Sequence, residues 1–343
     1  MSELNLERPG DVEWEPIQIT EMGEAEALGG EDEHLPVRQY IKMLVVTLYG
    51  VQELRKAIDN RIFALRENLS AEHMEMAESL RMRVSDLAHQ MEKNIARDLA
   101  NAVAKMPIIR WLEKLHGIGP RLAGSLVGII QNVERFDTVS RLYGYFGQSV
   151  FPICTRCNSI RFADDLEGIK LKQHFLNRQA ERRLEIAKKR KKNVPKDEEA
   201  FLLEAYAQSE KELCHCENPS VEQKAPKREF FHGLLLPYNP FAKTTAHKIS
   251  AQFVKQGKYY RQKYEQNKEY YVARDGDRLT KGHVEARARR ATVKLFLSHL
   301  WEMWRRSKGL QGGMIYLQYK LGEEFAKHHT LIEPPYGDTF NEK

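Results

Sequence analysis

The sequence predicts a mostly α fold, led by a long antiparallel helical hairpin or coiled coil. Two observations carry that class. Apolar residues recur in steps of three and four over long stretches, as amphipathic helices require, and no strand–helix–strand alternation is visible. No run of about 18 apolar residues occurs, so none of these helices is expected to span a membrane.

Residues 1–36 contain the acidic run Glu31-Asp32-Glu33 and little periodicity, and read as a disordered acidic tail. Residues 37–66 read as one helix, with Ile41, Leu44, Leu48, Val51, Ile58, Ile62 and Leu65 along one stripe. Ser70 can cap a second helix over 71–105, which places Met76, Leu80, Val84, Leu87, Met91 and Ile95 on one face. Two a/d-type helices joined by a short turn make an antiparallel hairpin or a dimeric coiled coil, so a homo-oligomer through residues 37–105 is expected. Residues 106–150 are short helices and turns, 151–236 hold all four cysteines, 237–309 are aromatic, basic and then helical, and 310–343 form a C-terminal tail.

The net charge of +6 hides an asymmetry. Residues 1–37 hold eleven acids and one base, Arg8, which leaves +16 on residues 38–343. A basic body behind an acidic tail fits a polyanionic partner and equally fits a solvated lysine-rich surface. An acidic N-terminus without an apolar core segment argues against a secretory signal. Four cysteines are too few for a disulfide-stapled secreted scaffold, so the expected location is cytoplasmic and nucleoid-associated.

Residues 106–150 hold the most specific local pattern. Leu115, Gly117-Ile118-Gly119, Pro120 and Ala123 follow one another at the spacing of a helix-hairpin-helix. The glycines can adopt backbone angles closed to other residues, Ile118 can plug the gap between helices, and Pro120 suits a first helical position. Amides at the start of the second helix then point outward, where the helix dipole favours a phosphate oxygen, and Arg121 can pair with the same group. Such a contact reads backbone and not sequence. An ordinary tight helical turn is the simpler alternative.

Residues 111–149 resemble the C-terminal domain of the insertion-sequence transposases called bridge recombinases. The resemblance runs from Trp111 through Gly117-Ile118-Gly119-Pro120 and Arg135-Phe136 to Gly147, and continues in the Arg/Ala-rich stretch His283–Trp301. It implies a coiled coil leading into a hairpin that binds nucleic acid, closed by a later helix. The family's RuvC-like acidic catalytic domain has no counterpart before residue 37, and neither Ser149 nor Ser250 sits in the Ser-Gly context of the family's nucleophile. The resemblance therefore implies the binding half without its chemistry, and leaves room for a separate catalytic subunit.

The four cysteines fall into two close pairs, Cys154/Cys157 and Cys214/Cys216. Four thiolates can close a tetrahedral Zn²⁺ site with no open position, which is a structural metal. The second pair is spaced more tightly than usual, so His215 can stand in for one cysteine, and a redox-active Cys154/Cys157 pair is the competing reading. The 56 residues between the pairs read as an inserted helical hairpin, 168–192 and 197–212, turned at Val194-Pro195.

Basic residues concentrate in two helices. Lys188, Lys189, Arg190, Lys191 and Lys192, with Arg178, Arg182 and Arg183, make an arm suited to neutralising phosphates. Arg287, Arg290 and Lys294 line one face of the later helix, opposite a stripe of Ala286, Val293, Leu297, Leu300 and Trp304. Five of the fourteen tyrosines lie between 259 and 271 among lysines and arginines, where they can stack on unpaired bases or simply pack inward.

Together these readings describe a helical hairpin, a helix-hairpin-helix unit, a small zinc-binding insertion and a C-terminal helical segment. The expected function is nucleic-acid binding by a mobile-element or phage protein, with duplex DNA or structured RNA as partner and no catalysis by the chain alone. A divergent transposase or recombinase is the alternative, with Asp164, Asp165, Asp275 and Asp277 as acidic candidates, although Asp275-Gly276-Asp277 is better read as a turn. A coiled-coil protein adaptor is the third reading.

Overall fold

The computed structural model describes residues 35–190, 197–217, 219–310, 312 and 332–340. The chain is mostly helical. In order the elements are α1 (Leu35–Leu65), α2 (Ala71–Val103), α3 (Pro107–Leu112), α4 (Pro120–Ile130), α5 (Val139–Tyr145), β1 (Phe151–Cys154), α6 (Leu166–Arg190), α7 (Glu198–Lys211), β2 (Val221–Lys224), α8 (Pro240–Gln256), α9 (Tyr259–Asp275) and α10 (Lys281–Ser307). The two strands pair antiparallel, Phe151 opposite Lys224 and Cys154 opposite Val221. Among the described residues no helix is long and apolar enough to cross a membrane. The acidic segment 1–34 and most of 310–343 lie outside the described residues.

The helical hairpin forms as its caps dictate: the Ser70 hydroxyl accepts from the His73 amide and starts α2. Its packing differs from the periodicity. On α1 the predicted stripe is buried at Ile41, Leu44, Leu48, Val51 and Ile62, whereas Leu65 is exposed. On α2 the predicted face is the wrong one: Met76, Leu80, Leu87 and Met91 are exposed, and Ala88, Glu92, Leu99 and Val103 point inward. The reason is where α2 docks. Its C-terminal half packs on α4, and between Glu53 and Leu87 the hairpin buries only Ile62. The outer half is thus a two-helix arm with an unburied apolar stripe.

The main core is built around α4. Every residue from Ala123 to Ile130 is buried. Gly124 and Gly128 make this possible, because a Cβ on Gly124 would sit 2.5 Å from Leu99 Cγ, and one on Gly128 would sit 2.8 Å from Val45 Cγ2. Glycine at these two positions lets α2 and α1 close onto α4. Trp301, fully buried on α10, donates its indole N–H to the Phe136 carbonyl at 2.8 Å, and so ties α10 to the turn before α5. Trp111 donates to the Pro335 carbonyl at 2.7 Å, which brings residues 332–340 back against α3.

Residues 151–236 have a core of their own, formed by Phe151, Ile153, Ile160, Phe162, Phe175, Leu176, Leu213, Phe230 and Phe231 with their neighbours. The inserted hairpin predicted between the cysteine pairs is α6 and α7, started by Asp197, which accepts from the Ala200 amide.

The tyrosine stretch of α9 serves packing. Tyr260 and Tyr264 are buried, whereas Tyr259, Tyr270 and Tyr271 are half-buried, so no ring of the stretch is fully open. Tyr260 shares a 2.8 Å hydrogen bond with His299 Nδ1. Burial, reinforced by the charge of Lys263, pushes the His299 pKa down to about 4. The folded state therefore disfavours a proton that the unfolded chain binds below about pH 6.5. His299 is expected to make stability full above about pH 6.5 and to withdraw about 3 kcal/mol as pH falls from there to about 4. Urea unfolding of the wild type and His299→Gln checks this: the variant should lose the slope between those pH values, and an unchanged slope contradicts the assignment.

Candidate metal centre and nucleic-acid interface

The two cysteine pairs meet where β1 ends. Cys154 closes β1, and the chain turns back through Asn158, whose positive φ of 57° and amide bond to the Cys154 carbonyl at 3.0 Å form a tight knuckle. The second pair is delivered by the end of α7, where the Cys214 amide donates to the Ile160 carbonyl at 2.9 Å. The four sulfurs all lie within 4.8 Å of one another. A tetrahedral ion with bonds of about 2.3 Å keeps its sulfurs about 3.8 Å apart, so the cluster can hold a metal ion with little adjustment.

The electrostatics suit anionic sulfur. The Arg156 and Cys216 amides lie 3.4 Å from the sulfurs of Cys154 and Cys214 respectively. Amide hydrogen bonds, from Cys157 first, hold the Cys154 thiol down to about 6 against the effect of burial. Burial pushes Cys214 up to about 12, so in the absence of a cation the cluster resists full ionisation. A divalent ion removes that resistance, because coordination favours the thiolate. His215 is exposed and does not join the cluster, so the candidate ligands are the four cysteines. Among the described residues this is the one such group of three or more His, Cys, Asp or Glu side chains.

The hairpin at 117–119 has the predicted parts. Gly117 takes a φ of 94°, which strongly favours glycine. Ile118 is buried and plugs the gap, Gly119 is the N-cap of α4, and Pro120 occupies its first turn. Gly119, Pro120 and Arg121 are exposed. Pro120 has no N–H, and the Leu122 and Ala123 amides donate to the Gly119 carbonyl at 3.0 Å, so the Arg121 amide is the one left open in the first turn of α4 among the described residues. Arg121 is half-exposed, with its guanidinium 3.8 Å from Glu92. The same carboxylate takes Arg55 at 3.1 Å. The Gly117 turn lies against the backbone of Gln252, which puts the last turn of α8, with exposed Lys255, beside the hairpin.

The other basic residues are placed less openly. Lys188 pairs with Glu198 at 2.7 Å across α6 and α7. The Lys189 and Arg190 side chains, and all of Lys191 and Lys192, lie outside the described residues. Arg182 and Arg183 donate to the carbonyls of Leu236 and Gly233, so part of the basic arm fastens α6 to the following loop. On α10, Arg287 binds Asp275, Arg290 is half-buried, and Lys294 is buried with its ammonium 5.5 Å from the Tyr143 ring. Burial and Arg290 push the Lys294 pKa down to about 7. These three residues share a helix but do not line one solvent face, because α8, α9 and α5 pack around α10.

Three of the four acidic candidates serve structure. Asp165 accepts from the Gly168 amide at 2.7 Å, and Asp164 pairs with Arg161 at 2.6 Å. Asp275 is buried among Arg274, Arg278 and Arg287, and Gly276 caps α9 as the turn reading required. Ser149 and Ser250 are both buried, and the Ser250 hydroxyl donates to the His247 carbonyl. Lys243 on α8 escapes the sequence reading because it belongs to no charge run, and Arg289, within the Arg/Ala-rich stretch of α10, is not singled out because Arg287, Arg290 and Lys294 are the bases that share one helical face. No protein-family model, no curated protein and no solved structure matches the chain.

Proposed function

We propose that this chain is a nucleic-acid-binding protein that grips duplex DNA by its backbone, that it is related to transposases, and that it does not catalyse strand transfer alone. The observation that carries this reading is the exposed Gly119–Arg121 entry to an otherwise buried α4. A helix start held rigidly by the core, with the Arg121 amide open and its guanidinium beside it, is built to receive a phosphate oxygen. The four-cysteine cluster would hold structural Zn²⁺, which fastens the 151–236 unit without taking part in chemistry. The exposed apolar stripe of α2 would serve pairing with a second copy, and the nucleoid would be the working location.

Gly119 allows a clean test. A Cβ there would meet nothing within 4 Å, so Gly119→Glu puts bulk and negative charge at the proposed phosphate seat without touching the protein. The variant should melt within about 2 °C of wild type. It should also bind a duplex oligonucleotide at least about tenfold more weakly, a loss of about 1.4 kcal/mol. Equal affinity of the two proteins, measured by fluorescence anisotropy, would remove the hairpin from the interface.

A further inference from the structure

A second cationic feature lies in a cleft of about 310 Å³ between α8 and α10, closed at one end by Gly147 and Gln148 after α5. Its polar lining is Lys243, His247 and Ser250 from α8, and Glu285, Arg289 and Arg290 from α10. Glycines and alanines on these walls keep the space open. The charge balance is unusual for a partly enclosed space. Three cations face one carboxylate, and Glu285 is already engaged by Arg289 at 3.7 Å and Lys268 at 3.5 Å. Arg289 Nε is buried with no hydrogen-bond partner. The Lys243 ammonium donates to the Pro226 carbonyl and lies 4.5 Å from the Tyr238 ring, with no carboxylate paired to it among the described residues. Arg290 likewise forms no ion pair among the described residues.

Cations gathered on half-buried walls repel one another, and partial burial reduces the water that would compensate them. Burial lowers the pKa of both Lys243 and Arg290, and the charge of Arg290 adds to the effect on Lys243. An arrangement that costs stability in the empty protein is relieved by an anion, and guanidinium groups match the oxygens of a phosphate. The exposed His247 ring lies on the same wall, and Gln148, whose amide also donates to the Phe146 carbonyl at 3.1 Å, closes the end of the cleft.

We propose that this cleft is a phosphate site that takes a backbone phosphate of the bound nucleic acid, with Lys243, Arg289 and Arg290 as its cationic walls. The proposal rests on the nucleic-acid reading above. It adds a second grip to that of the hairpin: α8 carries Gln252 beside Gly117 and Lys243 in the cleft, about 14 Å apart along the helix axis. Nine residues are about two and a half turns, so the two positions face opposite sides of α8, and the cleft and the hairpin are separate contacts on one rigid helix.

The test uses the full chain and the variants Lys243→Gln and Arg290→Gln, with a duplex oligonucleotide titrated across a salt series. Each variant should bind about tenfold more weakly at low salt, uniformly over sequence, with the salt slope reduced by about one. Arg290→Gln should melt no lower than wild type, because it removes a repelled and unpaired charge; this separates a binding role from a structural one. If wild type binds with a steep slope and both variants match it, the cleft proposal is overturned and the hairpin reading stands. If wild type binds no duplex at any salt, the nucleic-acid reading itself fails. A second arm with inorganic tripolyphosphate, read by thermal shift, then assigns the cleft: stabilisation of wild type but not of Arg290→Gln moves the phosphate source to a free ligand, and no stabilisation overturns the site altogether.

Discussion

Removing the metal should unfold residues 151–236 while the rest of the chain stays folded. The physical basis is the division of the core. The cysteine unit buries a small cluster around Phe151, Phe162, Phe175 and Phe231, separate from the cluster that contains Trp111 and Trp301. A small core with two four-residue strands is weak by itself, and structural zinc contributes about 10 kcal/mol where it couples to folding. All four tryptophans lie outside 151–236. Chelation should therefore leave tryptophan fluorescence unchanged while hydrogen exchange speeds up across Phe151–Leu234. Cys154→Ser should do the same without chelator and should purify without bound metal. Metal analysis of the wild type should return zinc at one ion per chain. Full exchange protection after the metal has been stripped would show that the four sulfurs are a reduced cluster and not a ligand set.

Asp275→Ala should be the most damaging single change outside the core. Asp275 is buried at the α9–α10 turn and takes Arg274 at 2.8 Å, Arg278 at 2.6 Å and Arg287 from the second turn of α10. Burial pushes its carboxyl up, but hydrogen bonds from Arg274 and Arg278 and the charges of Arg274 and Arg287 hold it down at about 2. Its folded pKa is below its unfolded one. The stability it contributes is thus present above about pH 4 and is lost as pH falls through about 2. Alanine leaves a void and three guanidinium groups without a counter-charge; these are 41–76% exposed, so water screens much of their repulsion and the loss is about 2–3 kcal/mol. At about 2–4 °C per kcal/mol, the melting temperature should fall by roughly 5–10 °C. Asp275→Asn, which keeps the shape, should recover only part of the loss. A shift below about 2 °C for the alanine variant would mean that the arginines are solvated well enough to need no counter-charge.

How far these features are legible in the sequence depends on what fixes them. The cysteine cluster is legible because coordination demands four sulfurs, and the chain holds its four cysteines in two close pairs. The hairpin is legible because a φ of 94° at Gly117 and a proline in the first turn of α4 leave few alternatives. The faces of α2 are not. Met76, Leu80, Leu87 and Met91 have the right period, yet burial follows the neighbour that docks, and that neighbour is α4, brought close by Gly124 and Gly128. The α8–α10 cleft is invisible for a related reason: Gln148, Lys243 and Arg290 are far apart in sequence and become neighbours only through the packing of α5, α8 and α10. The bases on α10 read as a solvated or phosphate-facing stripe, but packing divides them among an ion pair, a cleft wall and a buried ammonium over Tyr143.

The central claim is that the folded chain holds duplex DNA through its backbone. The most direct measurement is the affinity of the zinc-loaded protein for duplexes of two unrelated sequences between about 50 and 200 mM salt. The account predicts equal affinity for both sequences and a linear loss of log affinity with log salt. Its slope should correspond to several phosphates. The absence of binding at the lowest salt, or binding that ignores salt, would contradict it.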